Sequence, residues 1–433
     1  MNKVSIIEDL APKKFGLKGK LWVAFLCIII LSALYAYYQQ VTRGLVITDM
    51  RDYALWGIYI SNFVFFVAIS LVGSLVTAIL RLSGVEWSTP LTRIAEVIAV
   101  ASIIMAGLTI IIDMGRPDRF WHIFVYGRLQ SPIIWDVLVI TTYLVISLLL
   151  LYYPLLPDFA ILKKHVKDKT KLSEWYDKFS LRWTGSKDQV KIYNKSIKTL
   201  SVLIVPVAFG IHTVTAWLFA ATYRPGWDST NFGPYFIAGA FVAGAGAVIV
   251  IMYVLRKSYH LESYITDMHF DKMGKLLVLL CLVYLYFNIN EYLVPAYKMT
   301  KEEADLMTDI FIGEYAVMFW LVIGLGIIMP IIVLIFKKGR KPLPLFIVSM
   351  IVVIGAWWKR FIIVTPTLLN PFVPMQGTPE SWETYIPTML EWMVTFGTLA
   401  AALLIMTILF RYVPIIPIHE TIEEQNSELL NNR

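Results

Sequence analysis

From Leu91 to Asp113 the chain reads LTRIAEVIAVASIIMAGLTIIID and then runs directly into Met114-Gly-Arg-Pro-Asp-Arg-Phe-Trp-His122. At about 1.5 Å per residue the apolar part is long enough to cross the roughly 30 Å of a bilayer's hydrocarbon as a helix. Comparable blocks recur along the whole sequence, at about 20–41, 54–80, 133–153, 197–223, 235–256, 275–297, 310–336, 343–364 and 388–412. The reading is an all-α integral membrane protein of about ten transmembrane helices. With 58% hydrophobic residues and a mean hydropathy of +0.66, the composition excludes an ordinary soluble domain, which averages about 45–50% apolar. The first block is too long for a signal h-region and lacks a small-residue cleavage site, so no cleavable leader is expected.

Basic residues divide the chain and orient it. Residues 1–19 carry Lys13, Lys14 and Lys18; spans one to four occupy 20–153; a basic linker fills 154–196; spans five to ten occupy 197–412; and 413–433 form a tail. The linker holds Lys163, Lys164, Lys167, Lys169, Lys171, Lys178, Lys187, Lys191 and Lys195, and Lys337, Lys338, Arg340 and Lys341 fill a later loop. With ten spans all these fall on one side, so that side is expected to be cytoplasmic, with both termini inside. The loop 114–132 puts Arg116, Arg119 and Arg128 on the opposite side. They are either outvoted by the other loops or kept there to dock a partner. The +7 net charge therefore reports topology and contact with anionic lipid rather than nucleic acid. Trp175, Tyr176, Phe179 and Trp183 recur at roughly helical spacing in the linker, which suggests an amphipathic helix lying on the inner leaflet.

Cysteine and histidine usage limits the redox chemistry. Cys27 and Cys281 stand alone in separate spans, so thiolates cannot hold an iron–sulfur cluster here. Of the six histidines only His212 lies deep in a span, whereas a cytochrome-b protein needs facing intramembrane pairs for its haems. No phosphate-binding loop or transition-metal cluster is present in the sequence. Electrons, if the protein handles them, must come with a diffusible carrier and leave with a partner.

Polar residues within the spans crowd one end. Asn62, Asp113, Asp136, Asn288, Asn290, Glu291, Glu314, Lys359, Arg360 and Glu391 fall near the outer side, with His212 and Thr215 just outward of the middle. Ionisable groups in a membrane are expensive and mark function by default. The bland readings are also physical: Asp113, Glu314 and Glu391 as solvated interface groups, Glu291 paired with Lys359 or Arg360, and His212 as a satisfied core histidine.

Arg116-Pro-x-Arg-Phe-Trp-His122 after an apolar helix, then Ser131-Pro-x-x-Trp-Asp136 opening the next, resembles the NrfD-like membrane subunits. These are the quinone-binding partners of iron–sulfur proteins in polysulfide reductase and alternative complex III. The resemblance implies two four-helix bundles, spans two to five and six to nine, with spans one and ten peripheral. Trp56-Gly-Ile-Tyr-Ile and Gly233-Pro-Tyr-Phe-Ile, which open spans two and six alike, agree with such a repeat. It also implies a quinone or quinol (menaquinone or ubiquinone) site at the outer face beneath an iron–sulfur protein, in a bacterial inner membrane. By the same similarity His122 and Asp136 correspond to quinol-site positions, supported by Asp113, Arg116 and Arg119. The ten spans and long inner loop look most like alternative complex III, which would add haem-c subunits, a second NrfD-like subunit and a terminal oxidase as partners.

Quinol chemistry asks for this arrangement. Oxidising a quinol releases two electrons and two protons, and a histidine and a buried carboxyl are suited to accept the protons. Trp121, Trp135, Phe120 and Tyr126 are candidate walls for the ring. A proton path is expected along Glu96, Ser102, Thr109 and Asp113 in the third span, with His212, Asn288 and Glu291 in the second bundle; alternatively Glu96 simply pairs with Arg93. Two other functions compete. A quinone-reducing or purely anchoring subunit of another NrfD-type complex would share the motif, and a secondary transporter would share the span count but should concentrate its charges at the midplane.

Overall fold

The computed structural model describes residues 3–165, 171–373 and 376–431 of the chain. It is helical throughout, and nine helices among those residues are long and apolar enough to cross a membrane. They are Leu17–Arg43, Thr89–Asp113, Pro132–Tyr152, Lys187–Ala220, Phe232–Tyr259, Asp267–Lys298, a broken helix over Ala316–Leu334, Pro342–Leu369 and Met389–Tyr412. The second span is composite: an α-helix, Ile58–Ser70, continues as a π-helix, Gly73–Leu80. With it, the ten expected spans are all present. Alternating direction puts both chain ends on one face, called proximal below, and the loop 114–131 on the other, called distal.

Packing follows the two-bundle scheme. The second span lies on the third, the third on the fourth, the fourth on the fifth, and the fifth returns to the π-helical half of the second. Spans six to nine repeat the ring: six on seven and nine, with eight closing between them. The bundles meet where the sixth span crosses the second and fifth and the ninth crosses the second. The first span packs against the tenth, which in turn lies on the third.

Lipid tails are as apolar as leucine, so close approach between spans must come from shape. Glycine supplies it at the critical crossings. A methyl group on Gly73 would stand 2.6 Å from the Ala99 methyl of the third span, and one on Gly244 would stand 3.0 Å from Val72 where the bundles join. One on Gly397 would stand only 2.0 Å from the Ala33 methyl, so the first and tenth spans touch backbone to backbone.

Polar clamps close both ends. At the proximal end Arg93 is fully buried between Glu96 (3.4 Å) and Asp158 (3.2 Å). Asp158 also accepts the backbone N–H of His419 at 2.9 Å, and Arg81 pairs with Glu420. The C-terminal helix Ile418–Asn431 is thereby tied to the first bundle. At the distal end Glu391 is completely buried. It accepts from Tyr385 Oη (2.6 Å), from the Asp49 backbone N–H (3.0 Å) and from Thr388, whose hydroxyl and N–H are both 2.9 Å away. The solvated reading of Glu391 is therefore wrong: Thr388 and Glu391 form a capping box that starts the tenth span. Glu314, in contrast, is exposed.

The linker is more folded than its composition suggested. The fifth span begins at Lys187, well before 197. Leu155–His165 and Lys171–Phe179 are helices, and Tyr176 is buried, stacked on Phe159 at 5.5 Å with its hydroxyl donating to the Tyr412 carbonyl at 3.2 Å. An aromatic side thus docks on protein, while Trp175 stays exposed. Lys167 and Lys169 lie outside the described residues, as do positions 374–375 of the last distal segment and 432–433 of the tail.

Replacing Gly397 with valine should push the first span off the tenth and cost about 1–3 kcal/mol, the usual range for overpacking. Thermal unfolding in detergent should show the loss, together with faster thiol labelling of Cys27 in the first span. Unchanged stability and labelling would mean the two spans do not touch there.

Candidate functional site

Asp136 sits in the first turns of the fourth span, which Pro132 opens with a preset helical φ. Its carboxyl is buried and accepts a hydrogen bond from Thr215 Oγ1 of the fifth span at 2.7 Å. One turn earlier on the same face of that span lies His212, also buried. Its Nδ1 is 3.0 Å from the Ala208 carbonyl, an arrangement in which Nδ1 carries the proton. Nε2 is then an acceptor, and it is buried with no hydrogen-bond partner among the described residues. Arg360 of the ninth span is within electrostatic reach of this imidazole. Asp136, Thr215 and His212 thus make a polar line descending from the distal end toward the seam between the bundles.

The distal loop above this line is short and compact. Arg116 grips Asp118 through two hydrogen bonds of 3.0 Å, which hold the Asp118 carboxyl below its usual range. A single helical turn, His122–Tyr126, follows. The His122 ring is half-buried, edge-on to Trp121 (centroids 4.1 Å apart) and Tyr126 (5.2 Å). Trp135 donates its indole N–H to the Leu129 carbonyl at 2.5 Å, fixing the loop to the fourth span. His122 and Asp136 are joined by no hydrogen bond, since Asp136 turns inward to Thr215. The expected aromatic walls are not closed around a ring either: Trp121 is 51% and Tyr126 68% exposed, and Arg119 and Arg128 are exposed as well.

In the third span, Glu96 belongs to the proximal ion cluster, as the pairing reading held. Ser102 is buried with a hydroxyl that has no partner among the described residues, and the Thr109 hydroxyl donates back to the Met105 and Ala106 carbonyls. Helical rise separates Glu96 from Ser102 and Ser102 from Thr109 by roughly 9 and 10 Å along the axis, gaps no direct side-chain hydrogen bond covers; Asp113 lies one turn beyond Thr109, whose hydroxyl is already given to its own helix. One oxygen of Asp113 is buried with no hydrogen-bond partner among the described residues. Tyr59 Oη donates to Gln40 Oε1 at 3.0 Å, and Gln40 Nε2 to the Ile112 carbonyl at 2.7 Å.

The second bundle has its own polar end. Glu291 does not pair directly with Lys359 or Arg360. Its carboxylate accepts from Ser229 Oγ at 2.9 Å and Asn231 Nδ2 at 2.8 Å. Lys359, fully buried, donates to Tyr292 Oη at 3.0 Å and sits over the Tyr292 and Phe319 rings at 4.9 and 4.8 Å. Arg360 lies 4.8 Å over Phe236. Asn288 donates to the Tyr284 carbonyl at 2.8 Å, and its own Oδ1 is buried with no partner among the described residues. Sequence reasoning missed Tyr59, Gln40, Tyr235, Ser229 and Asn231. Tyr59 and Tyr235 stand at matching places in the segments that open spans two and six alike, a signal read only as a repeat, and Gln40 offered no more than a polar residue at the outer end of a span. Ser229 and Asn231 sit in a loop and gave none.

Ten spans in two bundles, with polar groups gathered at their distal ends, define a polytopic membrane protein. Residues 46–371 match the family described as polysulphide reductase, NrfD, and the chain belongs to that family. The matched segment leaves out the first and tenth spans, the two that lie outside the bundles. The chain is 27% identical to the putative dimethyl sulfoxide reductase membrane subunit of Halobacterium salinarum, over 93% of this chain and 92% of the relative. It is 24% identical to a selenate reductase subunit of Mesobacillus selenatarsenatis, over 92% and 94%. It is 22% identical to the menaquinone reductase integral membrane subunit of Nitratidesulfovibrio vulgaris, over 92% of each.

Replacing Thr215 with valine would leave the Asp136 carboxyl buried without its donor, at a cost of about 1–3 kcal/mol. Serine at 215 should restore most of it. Equal melting of all three proteins in detergent would show that the bond carries no weight.

Proposed function

We propose that this chain is the quinone-exchanging membrane subunit of a multi-subunit oxidoreductase. It takes up quinol at the distal end of the first bundle and passes the electrons to an iron–sulfur partner seated on the loop 114–131. The observation that carries the reading is the buried Asp136 carboxyl at that end, held by Thr215 beneath the His122 loop, in a family with a relative named for menaquinone. Asp136 and His122 accept the two quinol protons, and the loop's distal position gives those protons a short exit to water. Menaquinol or ubiquinol serves equally in this chemistry. The basic proximal loops support cytoplasmic termini in the cytoplasmic membrane, which puts the distal end outside.

Partner docking draws on the same loop. Phe124, Tyr126 and Leu129 are exposed beside Arg119 and Arg128, a mixture suited to a protein surface carrying acidic groups. The names of the relatives quoted above are those of reductases, and they favour a membrane subunit serving a reductase. An alternative complex III would further require haem-c subunits, a second NrfD-like subunit and a terminal oxidase.

His122→Ala and Asp136→Ala should each lower quinol turnover by about 10²–10⁴-fold, the usual effect of losing a proton-accepting group, while the complex still assembles. Full turnover in both variants would remove the first-bundle site. Mild solubilisation at low salt should bring down an iron–sulfur protein that Arg119→Glu with Arg128→Glu releases. Haem-c subunits in the same preparation would favour alternative complex III, and their absence beside a reductase subunit would count against it.

A further inference from the structure

The first and tenth spans leave an outward-facing groove of about 540 Å³ between them. Trp22, Phe25 and Ile29 line it from the first span, and Trp392, Phe396 and Leu403 from the tenth. Trp22, Phe25 and Phe396 are exposed. Both spans lie outside residues 46–371, the part matched to the family, so the groove stands apart from the bundles that carry the quinone reading.

The lining has little to give a polar solute. Ser32 is its one hydroxyl-bearing residue among those described, and that hydroxyl donates back to the Ile29 carbonyl at 2.7 Å. The Trp22 indole donates to Thr407 Oγ1 at 3.2 Å, a bond that ties the proximal ends of the two spans together. On the first span the lining climbs from Trp22 to Ser32, about 15 Å of helix, the depth of one leaflet in a hydrocarbon core about 30 Å thick. A groove of that length and character fits an extended hydrocarbon chain entering from the proximal leaflet.

Charge at the proximal mouth says what kind of chain this is. Lys18 stands one turn before Trp22 and Arg411 one turn after Thr407, so each continues its row toward the proximal face, past the hydrogen bond that joins the spans. Lys18 is exposed. Arg411 is half-buried over the rings of Phe15 and Tyr412, at 5.9 and 5.5 Å, and its Nη1 has no hydrogen-bond partner among the described residues. Arg81, Arg93, Arg256 and Arg340, also at the proximal end, each meet a carboxylate instead. Two cations at headgroup level, below an apolar groove, complement a negatively charged lipid. A phosphate oxygen also supplies the acceptor that the chain itself does not give Arg411.

We propose that this groove holds an anionic phospholipid of the proximal leaflet, its phosphate between Lys18 and Arg411 and one acyl chain lying along Trp22, Phe25, Phe396 and Leu403. The lipid fastens the proximal end of the first span to the tenth.

The test uses the purified complex, delipidated in detergent, incubated with phosphatidylglycerol or phosphatidylcholine and weighed by native mass spectrometry. The wild type should hold one equivalent of phosphatidylglycerol that the double variant Lys18→Gln, Arg411→Gln loses, and phosphatidylcholine should not take its place. Leu403→Trp, which fills the groove and leaves both cations untouched, should lose the same equivalent. If the double variant fails to assemble, Leu403→Trp decides alone. Phosphatidylglycerol held in full by an assembled variant overturns the site, and so does equal retention of the two lipids by the wild type. A transmembrane helix of another subunit lying over Trp22 and Trp392 in the complex overturns it too, since the groove is then a protein interface.

Discussion

A carboxyl group inside a bilayer has no water to turn to, so the chain that carries it must bring the donors as well. That constraint organises this molecule. Asp136 is met by Thr215, Glu291 by Ser229 and Asn231, and Glu391 by Tyr385, Thr388 and the backbone of Asp49. Each carboxyl is reached by a donor from another span or from a distal loop, so each also staples separate elements together. The distal end is at once where the polar chemistry lies and where the helices are fixed to one another. Asp113, one of whose oxygens has no partner among the described residues, departs from this pattern.

The helices themselves follow from simpler forces. Each span satisfies its own backbone, and small residues let the spans approach. Cations are treated differently from acids. Lys359 and Arg360 rest on aromatic faces, whose electron-rich rings spread the charge without a fixed counter-ion. At the proximal end, in contrast, the fully buried Arg93 meets carboxylates directly. That difference separates a proximal lock joining the C-terminal helix to the first bundle from a distal end whose acids Asp136, Glu291 and Glu391 are held by neutral donors.

Most of the architecture was legible in the sequence, because a run of about twenty apolar residues has few other uses. Repeat and motif added the bundle scheme. What escaped were partnerships across long stretches of chain. Asn62 donates to Thr395 and Asp49 to Glu391, pairs separated by 333 and 342 residues, and no local pattern announces them. Glu391 is instructive: Thr388 three residues before it is a capping-box signature, yet position at a membrane edge suggested a solvated side chain. His122 shows the opposite limit. Its motif was conspicuous, but whether its ring faces Asp136 depends on how a short distal turn folds, and the turn directs it toward Trp121 and Tyr126.

The proposed function requires quinone chemistry at the distal end of the first bundle. A cryo-electron microscopy map of the complex purified with its native quinone tests it most directly. Ring density at the distal end of the first bundle, against Asp136, is the expected result. Ring density at the proximal end, beside Arg93 and Glu96, or at the bilayer midplane would contradict it.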